Sequence, residues 1–383
     1  MGLAAFHRAV GYVLILTVLS LLALGLVMLY STGAKYAPLG QSAVLAPLQK
    51  QALWLLIGLV AAIIFFLLDP QKVLAASPWL CAIGAILLIA CFIPGIGKEV
   101  NAARRWVEVF GFTFQPSEWA KFAFLTFLAW RAEKTSKPGS SFSWRAQLPV
   151  IAVVALYAGL ILATPDLGTA IIFCVLLVMG LFVVGLPYIQ AISILLFVGV
   201  SVLVLAFFMP ERRGRILAFL DPEAHRLGDA WQVWQAHIAL GTGGLYGVGL
   251  GNSRQKMDYL PEANTDFIFA IIGEELGLWV SLTVVLAYVV IVLCGAWIAY
   301  HAPTFGQRVW AFGLTAAIGL QALVNLGVVT ALLPNKGLPL PFISYGGSNL
   351  LFCLVSIGVL LNIHQDCHLR RQGLHAVLAR HTS

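Results

Sequence analysis

The chain has 383 residues, 60% of them hydrophobic and 10% charged, with a formal net charge of +7 and a mean hydropathy of +0.92. That much apolar surface, with 23 Phe and 11 Trp, excludes a water-soluble domain and points to an integral membrane protein. The basic excess is accounted for by membrane orientation, as the loop charges below show, and does not call for nucleic-acid binding.

Apolar runs of spanning length occur near 11–31, 52–68, 78–94, 118–132, 148–164, 168–186, 189–209, 267–299, 309–332 and 349–364. They predict an all-α polytopic protein of about ten transmembrane helices, since a span needs about 20 apolar residues. The first run is long enough to span and no small-residue cleavage site follows it, so no cleavable signal peptide is expected. Five of the six cysteines lie inside these runs and none forms a C-x-x-C pair, so they read as buried small hydrophobes.

An even number of spans puts both termini on one side, and loop charge chooses the side. With the termini inside, the inner segments carry Arg8, Lys72, Arg131, Lys134, Lys137, Arg145, Arg308, Arg370, Arg371 and Arg380 against Asp69, Glu133 and Asp366. The rest of the chain is then neutral. The positive-inside rule makes both termini cytoplasmic and turns the long loop at about 210–265, between helices 7 and 8, outward. Residues 1–365 read as a single transmembrane domain, and 366–383 as a basic cytoplasmic tail.

The outward segments hold the residues that could do chemistry. QPSEWAK at 115–121 places Glu118 and Lys121 three apart on a first helical turn, either as a site or as an ion pair that lets both be buried. TPDLG at 164–168 sets Asp166 at a helix junction, where capping is the competing role. GTGGLYGVGLG at 241–251 lacks the ending of a nucleotide-binding loop, but permits tight turns and close approach. YLPEANTDFIFAIIGEELG at 259–277 puts Glu262, Asp266, Glu274 and Glu275 against the start of an apolar run. A carboxylate at bilayer depth costs roughly 2.5–3.5 kcal/mol unless paired, hydrated or used, so this segment is the first functional candidate. NKGLPLPFISYGGS at 335–348 is irregular backbone, tolerated at such depth only inside protein or along a wet cavity. Arg104, Arg105, Lys121, Arg212, Arg213, Arg215, Arg254, Lys256 and Lys336 interleave with the acids and suit a phosphate or pyrophosphate on a lipid. Scattered histidines such as His225 and His237 lack metal-ligand spacing.

These motifs, in this order, resemble the SEDS proteins (shape, elongation, division and sporulation), polytopic peptidoglycan glycosyltransferases that include FtsW and RodA. The resemblance covers about residues 10–365 and rests on RRW at 104–106, QPSEWAK, TPDLGT, the Gly-rich run with QK at 255–256, LPEANTDFIFAIIGEELG and KGLPLPFISYGGS. QKMDYLPEA, IIGEELG and LLPNKGLPLPFISYGGSNLL look more like the FtsW branch than the RodA branch. Asn264 departs from the pattern, which usually has His there.

The resemblance implies polymerisation of lipid II, an undecaprenyl-pyrophosphate-linked disaccharide–peptide, at the outer leaflet of the bacterial cytoplasmic membrane, with enrichment at the division septum. It implies Asp266 as catalytic base and Trp106, Glu118, Lys121 and Asp166 lining one cavity. Arg105, Lys121 and Lys336 are candidate phosphate contacts, and Lys256, Glu262 and Ser344 complete the candidate substrate-binding set. No metal site is readable, although magnesium or manganese carried by the pyrophosphate would leave no motif. The implied partners are lipid II, a class B penicillin-binding protein and other divisome membrane proteins. An elongation polymerase, a lipid II flippase and a scaffold for a penicillin-binding protein remain the alternatives.

Overall fold

The computed structural model describes every residue except 1–2, 101–102, 110–111, 136–141, 209 and 382–383. Lys137 and most of the predicted 133–145 linker therefore lie outside the described residues. The chain is a helical bundle with helices in all ten predicted segments. They are α1 (Leu3–Gly33), α2 (Gln41–Leu67), a short α3 (Pro70–Ala75), α4 (Ser77–Ala90), α5 (Pro116–Thr135), α6 (Trp144–Ala163), α7 (Leu167–Val184) and α8 (Tyr188–Phe208). After the segment expected as a loop come α11 (Ile268–His301), α12 (Phe305–Val329) and α13 (Gly347–His381).

Among the described residues, seven helices are long and apolar enough to cross a membrane, namely α1, α2, α6, α7, α11, α12 and α13. Helix α4 and the apolar stretch Tyr188–Val204 of α8 are shorter. Helix α5 spans twenty residues but carries Glu118, Lys121, Arg131, Glu133 and Lys134. Glu118 and Lys121 are buried where the helix packs against α4, α6, α7, α12 and α13, and Glu133 and Lys134 are exposed at its other end. Phe124 on α5 meets Phe173 on α7 at 5.2 Å, and Phe122 meets Trp310 on α12 at 6.1 Å. The outer helices turn the other way: Leu56, Val60 and Ile63 of α2 and Leu196, Phe197 and Val200 of α8 are exposed, as a lipid-facing surface requires.

Three elements add detail that the sequence reading did not give. Residues 97–114 form a small antiparallel sheet of β1 (Gly97–Val100), β2 (Ala103–Val109) and β3 (Phe112–Phe114), in spatial order β1-β2-β3. Lys98–Glu108 (2.7 Å) and Arg104–Glu99 (3.2 Å) are ion pairs between β1 and β2, so these charges belong to a solvated sheet face. The loop predicted at 210–265 contains α9 (Pro210–Leu220) and α10 (Trp231–Gly243). Finally, α13 runs on to His381, so the tail predicted from 366 continues the last helix.

The feature that places the site is a break in α11. Gly277 has φ 79° and ψ −175°, outside helical geometry, in a region open essentially to glycine alone. The break leaves carbonyls without their helical partners, and the Gly-rich loop after α10 supplies donors. Val248 N–H donates to Glu274 O at 2.9 Å, Gly249 N–H to Glu275 O at 3.0 Å, and Leu278 N–H to Gly244 O at 3.0 Å. The approach is backbone to backbone: a Cβ on Gly277 would strike the nitrogen of Gly247, and one on Gly243 the carbonyl of Gly273. Gly277→Ala is therefore expected to lower stability by about 2–3 kcal/mol, read as a lower thermal midpoint in detergent.

Candidate active site

Buried charge is gathered at three places, all built on the ends of α5, α7, α11 and α12. The first lies where the α6–α7 junction, β2 and the two loops at 258–267 and 331–346 converge. Asp166 precedes α7 and caps it, accepting from Thr169 N–H at 3.1 Å and Thr169 Oγ1 at 2.8 Å. The capping role is real, but it leaves oxygen lone pairs over. Lys336 Nζ takes Asp166 Oδ1 at 2.5 Å, and Arg105 Nε lies 3.9 Å from Oδ2. Burial would push the Asp166 pKa up, but Lys336 and Arg105, with the Lys336 and Thr169 hydrogen bonds, outweigh it and hold the pKa at about 2.

Arg105 reaches this point through a strand irregularity. Lys98 pairs with Trp106 and Glu99 with Arg104, which leaves Arg105 as the extra residue on β2. Such a bulge re-aims a side chain, and here Arg105 Nη2 donates to Pro165 O at 2.8 Å. Trp106 stays half-buried on the same strand beside it.

Asp266 does not cap α11: Phe267 holds the capping position, with no side-chain capping bond. The Asp266 carboxylate is partly exposed and, among the described residues, has neither an ion pair nor a hydrogen-bond donor. Its pKa is pushed up to about 7, first by burial and then by the negative charge of Glu262, while Lys336 and Arg105 pull it down and Asp166 adds to the rise. Glu262 accepts from Thr265 Oγ1 at 2.7 Å and has φ 56°, a strained left-handed backbone for a non-glycine residue.

The backbone around Asp266 is held at three successive carbonyls. Tyr345 N–H donates to Asn264 O at 2.9 Å, Ser344 Oγ to Thr265 O at 2.5 Å, and Asn325 Nδ2 to Asp266 O at 2.7 Å. Asn325 Nδ2 also donates to Leu338 O at 2.7 Å. Ser344, one of the predicted substrate-binding residues, is thus a buried staple, and its Oγ accepts from Leu340 N–H at 2.7 Å. Asn325 was not singled out from the sequence. The available signal was its spacing with Gln321, two amides four residues apart in the otherwise apolar second half of α12.

Gln321 connects this place to the second cluster. It donates to Pro339 O at 2.9 Å and accepts from Lys121 Nζ at 2.8 Å. Lys121 pairs with Glu118 at 3.0 Å, and Asn349 Nδ2 donates to Glu118 at 3.2 Å. Both members of the ion pair are buried. Removing one leaves the other charge uncompensated, so Lys121→Met is expected to cost about 3 kcal/mol of stability, measured by thermal or denaturant unfolding.

The third cluster lies at the Gly277 break. Glu275 is fully buried and accepts from Lys256 Nζ (2.7 Å), Ser31 Oγ (2.7 Å), Gly251 N–H (3.0 Å) and Ser253 N–H (3.3 Å). Glu274 accepts from Ser253 Oγ and from Arg254 N–H at 3.0 Å. The structure therefore commits Lys256, predicted as a substrate contact, to Glu275, Ser31 and the Gly251 carbonyl. It does not bring Lys256 together with the Asp266 group.

Fold and site together define a polytopic membrane protein with buried ionic clusters at its helix ends. The chain belongs to the Cell cycle protein family of FtsW, RodA and SpoVE, whose pattern it matches over residues 12–368. It is 38% identical to "Probable peptidoglycan glycosyltransferase FtsW" of Trichlorobacter lovleyi, covering 92% of each chain. It is 38% identical to "Stage V sporulation protein E" of Bacillus subtilis, covering 91% of this chain and 95% of that protein. Among solved structures, a chain of a peptidoglycan synthase complex superposes with TM-score 0.75 at 28% identity, covering 92% and 97% of the two chains. Rod shape determining protein RodA of Thermus thermophilus superposes with TM-score 0.66 at 27% identity, covering 92% and 96%.

Proposed function

We propose that the chain polymerises lipid II into glycan at the outer face of the bacterial cytoplasmic membrane, with Asp266 as the general base. The enzyme class, peptidoglycan glycosyltransferase, is supported by family membership and by the names of its relatives. The observation that carries the mechanism is the contrast between two neighbouring aspartates. Asp166 is saturated by a cap and two cations, whereas Asp266 is partly exposed and free of any ion pair among the described residues. A base must be ionised, reachable and near its working pH in proton affinity, and of the two aspartates Asp266 meets all three conditions.

The chemistry runs as one displacement. A β-linked product from an α-linked pyrophosphate donor requires inversion. The acceptor hydroxyl attacks the anomeric carbon, Asp266 takes its proton, and the glycosyl–oxygen bond to pyrophosphate breaks with both electrons leaving on the phosphate. Lys336 and Arg105, already together at Asp166, are the cations suited to that developing charge. Among the described residues no three His, Cys, Asp or Glu side chains are grouped to hold a metal. Magnesium or manganese could instead enter on the pyrophosphate oxygens, which are the hard donors these ions prefer. Such an ion, when bound with pyrophosphate, would neutralise leaving-group charge.

Names among the relatives favour a division role with septal enrichment. The ten apolar runs support about ten spans, and loop charge supports cytoplasmic termini. The likeness to a chain from a synthase complex supports a transpeptidase partner, a class B penicillin-binding protein, with other divisome membrane proteins around it.

Purified protein, with and without its cognate penicillin-binding protein and with moenomycin present to silence unrelated polymerases, is expected to make glycan from lipid II. Asp266→Asn is expected to make none while keeping its fold and partner. Ionised Asp266 opposes folding, a penalty that appears as pH rises above the ordinary carboxylate range and is complete above about 7. The Asn variant should therefore melt no lower than wild type at about pH 8. Polymer from the folded variant would sink the assignment. No polymer from either protein, with labelled lipid II crossing the bilayer, would favour a flippase.

The rate should fall about tenfold per pH unit on the acid side, with its midpoint near the Asp266 pKa of about 7. Glu262→Gln removes a charge that raises this pKa, so the acid limb should move to lower pH. A pH–rate profile of the two proteins checks both the position and the direction.

A further inference from the structure

Lys336 stands between two carboxylates. Its ammonium lies on Asp166 Oδ1 at 2.5 Å. Yet its chain neighbour Gly337 is pressed against Asp266, whose Oδ2 fills the place a Cβ would take. The backbone thus brings Lys336 alongside Asp266, and the direction of the side chain alone sends the charge to Asp166. Two features set that direction. Gly168 has no Cβ, and Cε and Nζ of Lys336 occupy the space one would need. Beyond that groove Asp166 is held rigid by Thr169 and flanked by Arg105.

We propose that Asp166 is a positioning residue for the base: it draws the Lys336 ammonium along the Gly168 groove and so keeps Asp266 out of an ion pair. This rests on Asp266 being the base and adds what keeps it fit for that task. An ammonium on a carboxylate lowers its pKa by about 1–3 units and occupies the lone pair that should receive the proton. The groups facing Asp266 are Glu262 on its own loop, Lys336 on the α12–α13 loop, Arg105 on β2 and Asp166 at the α6–α7 junction. Burial disfavours the charge of Lys336, and Arg105 and then Arg215 on α9 add to that, so the ammonium depends on a carboxylate partner. Without the charge of Asp166, the carboxylate already beside its backbone is Asp266.

The test uses the full chain in nanodiscs and does not depend on turnover. A water-soluble carbodiimide with an amine labels protonated carboxyls, and mass spectrometry follows Asp266 modification from about pH 4 to 9. The wild-type midpoint is expected near the pKa of about 7. Asp166→Asn keeps an oxygen for the Thr169 cap, and its midpoint should fall by at least about one unit. Gly168→Ala closes the groove while keeping the Asp166 charge, and should shift the midpoint the same way. Lys336→Met leaves no ammonium to relocate, so the midpoint should rise, and the Asp166→Asn/Lys336→Met protein should lose the downward shift. An unchanged midpoint in Asp166→Asn and Gly168→Ala overturns the proposal. So does a downward shift that persists in the double variant, which would reflect only the missing Asp166 charge. Failure of the base assignment is seen separately, as glycan made by Asp266→Asn.

Discussion

A helix that breaks at Gly277 organises the rest of this molecule. Breaking α11 near its start exposes carbonyls in a place where water cannot satisfy them, and an unpaired buried carbonyl costs about 1–3 kcal/mol. The chain meets the demand with the amides of the Gly-rich loop. Once that loop is docked, Ser253 and Lys256 fall against Glu274 and Glu275. The segment from Gly251 to Phe267 is then tied at one end by these bonds and at the other by α11 itself. Glu262 and Asp266 lie on that tethered stretch. The acid-rich run that looks like a cluster in the sequence is therefore two groups with opposite duties. Glu274 and Glu275 fix the scaffold, and Glu262 and Asp266 lie with Lys336, Arg105 and Asp166.

The duties follow from environment, since the side chains are alike. Glu275 accepts four donors, one of them the Lys256 ammonium. Glu118 has Lys121 and Asn349, and Asp166 has Lys336, Arg105 and Thr169. In each case opposite charge or hydrogen bonds offset the desolvation that burial imposes. Asp266 has no ion pair or hydrogen-bond donor among the described residues, and the pull of Lys336 and Arg105 does not offset its burial and the charge of Glu262. A carboxylate left uncompensated among compensated ones marks where stability is given up for chemistry.

The helices were legible because apolar runs of spanning length carry their own signature. Even α5 was placed within a few residues, although its charges keep it out of the simplest class of spans. The sheet at 97–114 was not legible. Its strands are short, and the charges of Lys98, Glu99, Arg104 and Glu108 look like loop composition until the cross-strand pairs are seen. Lys256 was drawn into the substrate set because a sequence shows that a base lies near acids, but not which acid it meets. Ser344 shows the same limit, since its hydroxyl is used on backbone. Asn325 and Gln321 lay inside an apolar run that reads as an ordinary span, and their targets are carbonyls 13 and 18 residues ahead. Contacts between a helix and irregular backbone have no periodicity to betray them.

Those two amides explain how Asp266 can be both unpaired and fixed. A side chain without bonds of its own would wander unless its backbone were held, and proton transfer demands placement within hydrogen-bond reach. The carbonyls of Asn264, Thr265 and Asp266 are gripped in sequence by Tyr345, Ser344 and Asn325. Gln51 on α2 grips the same loop from its other side, donating to Ser344 O at 3.1 Å and accepting from Gly346 N–H at 3.2 Å. The loop that supplies Lys336 is therefore the loop that immobilises Asp266, and helices α2 and α12 fix both at once. Rigidity reaches Asp266, the proposed base, through main-chain bonds, which carry no charge and leave its proton affinity alone. Had the carboxylate been anchored by cations, as Asp166 is, the anchoring would itself have removed its basicity.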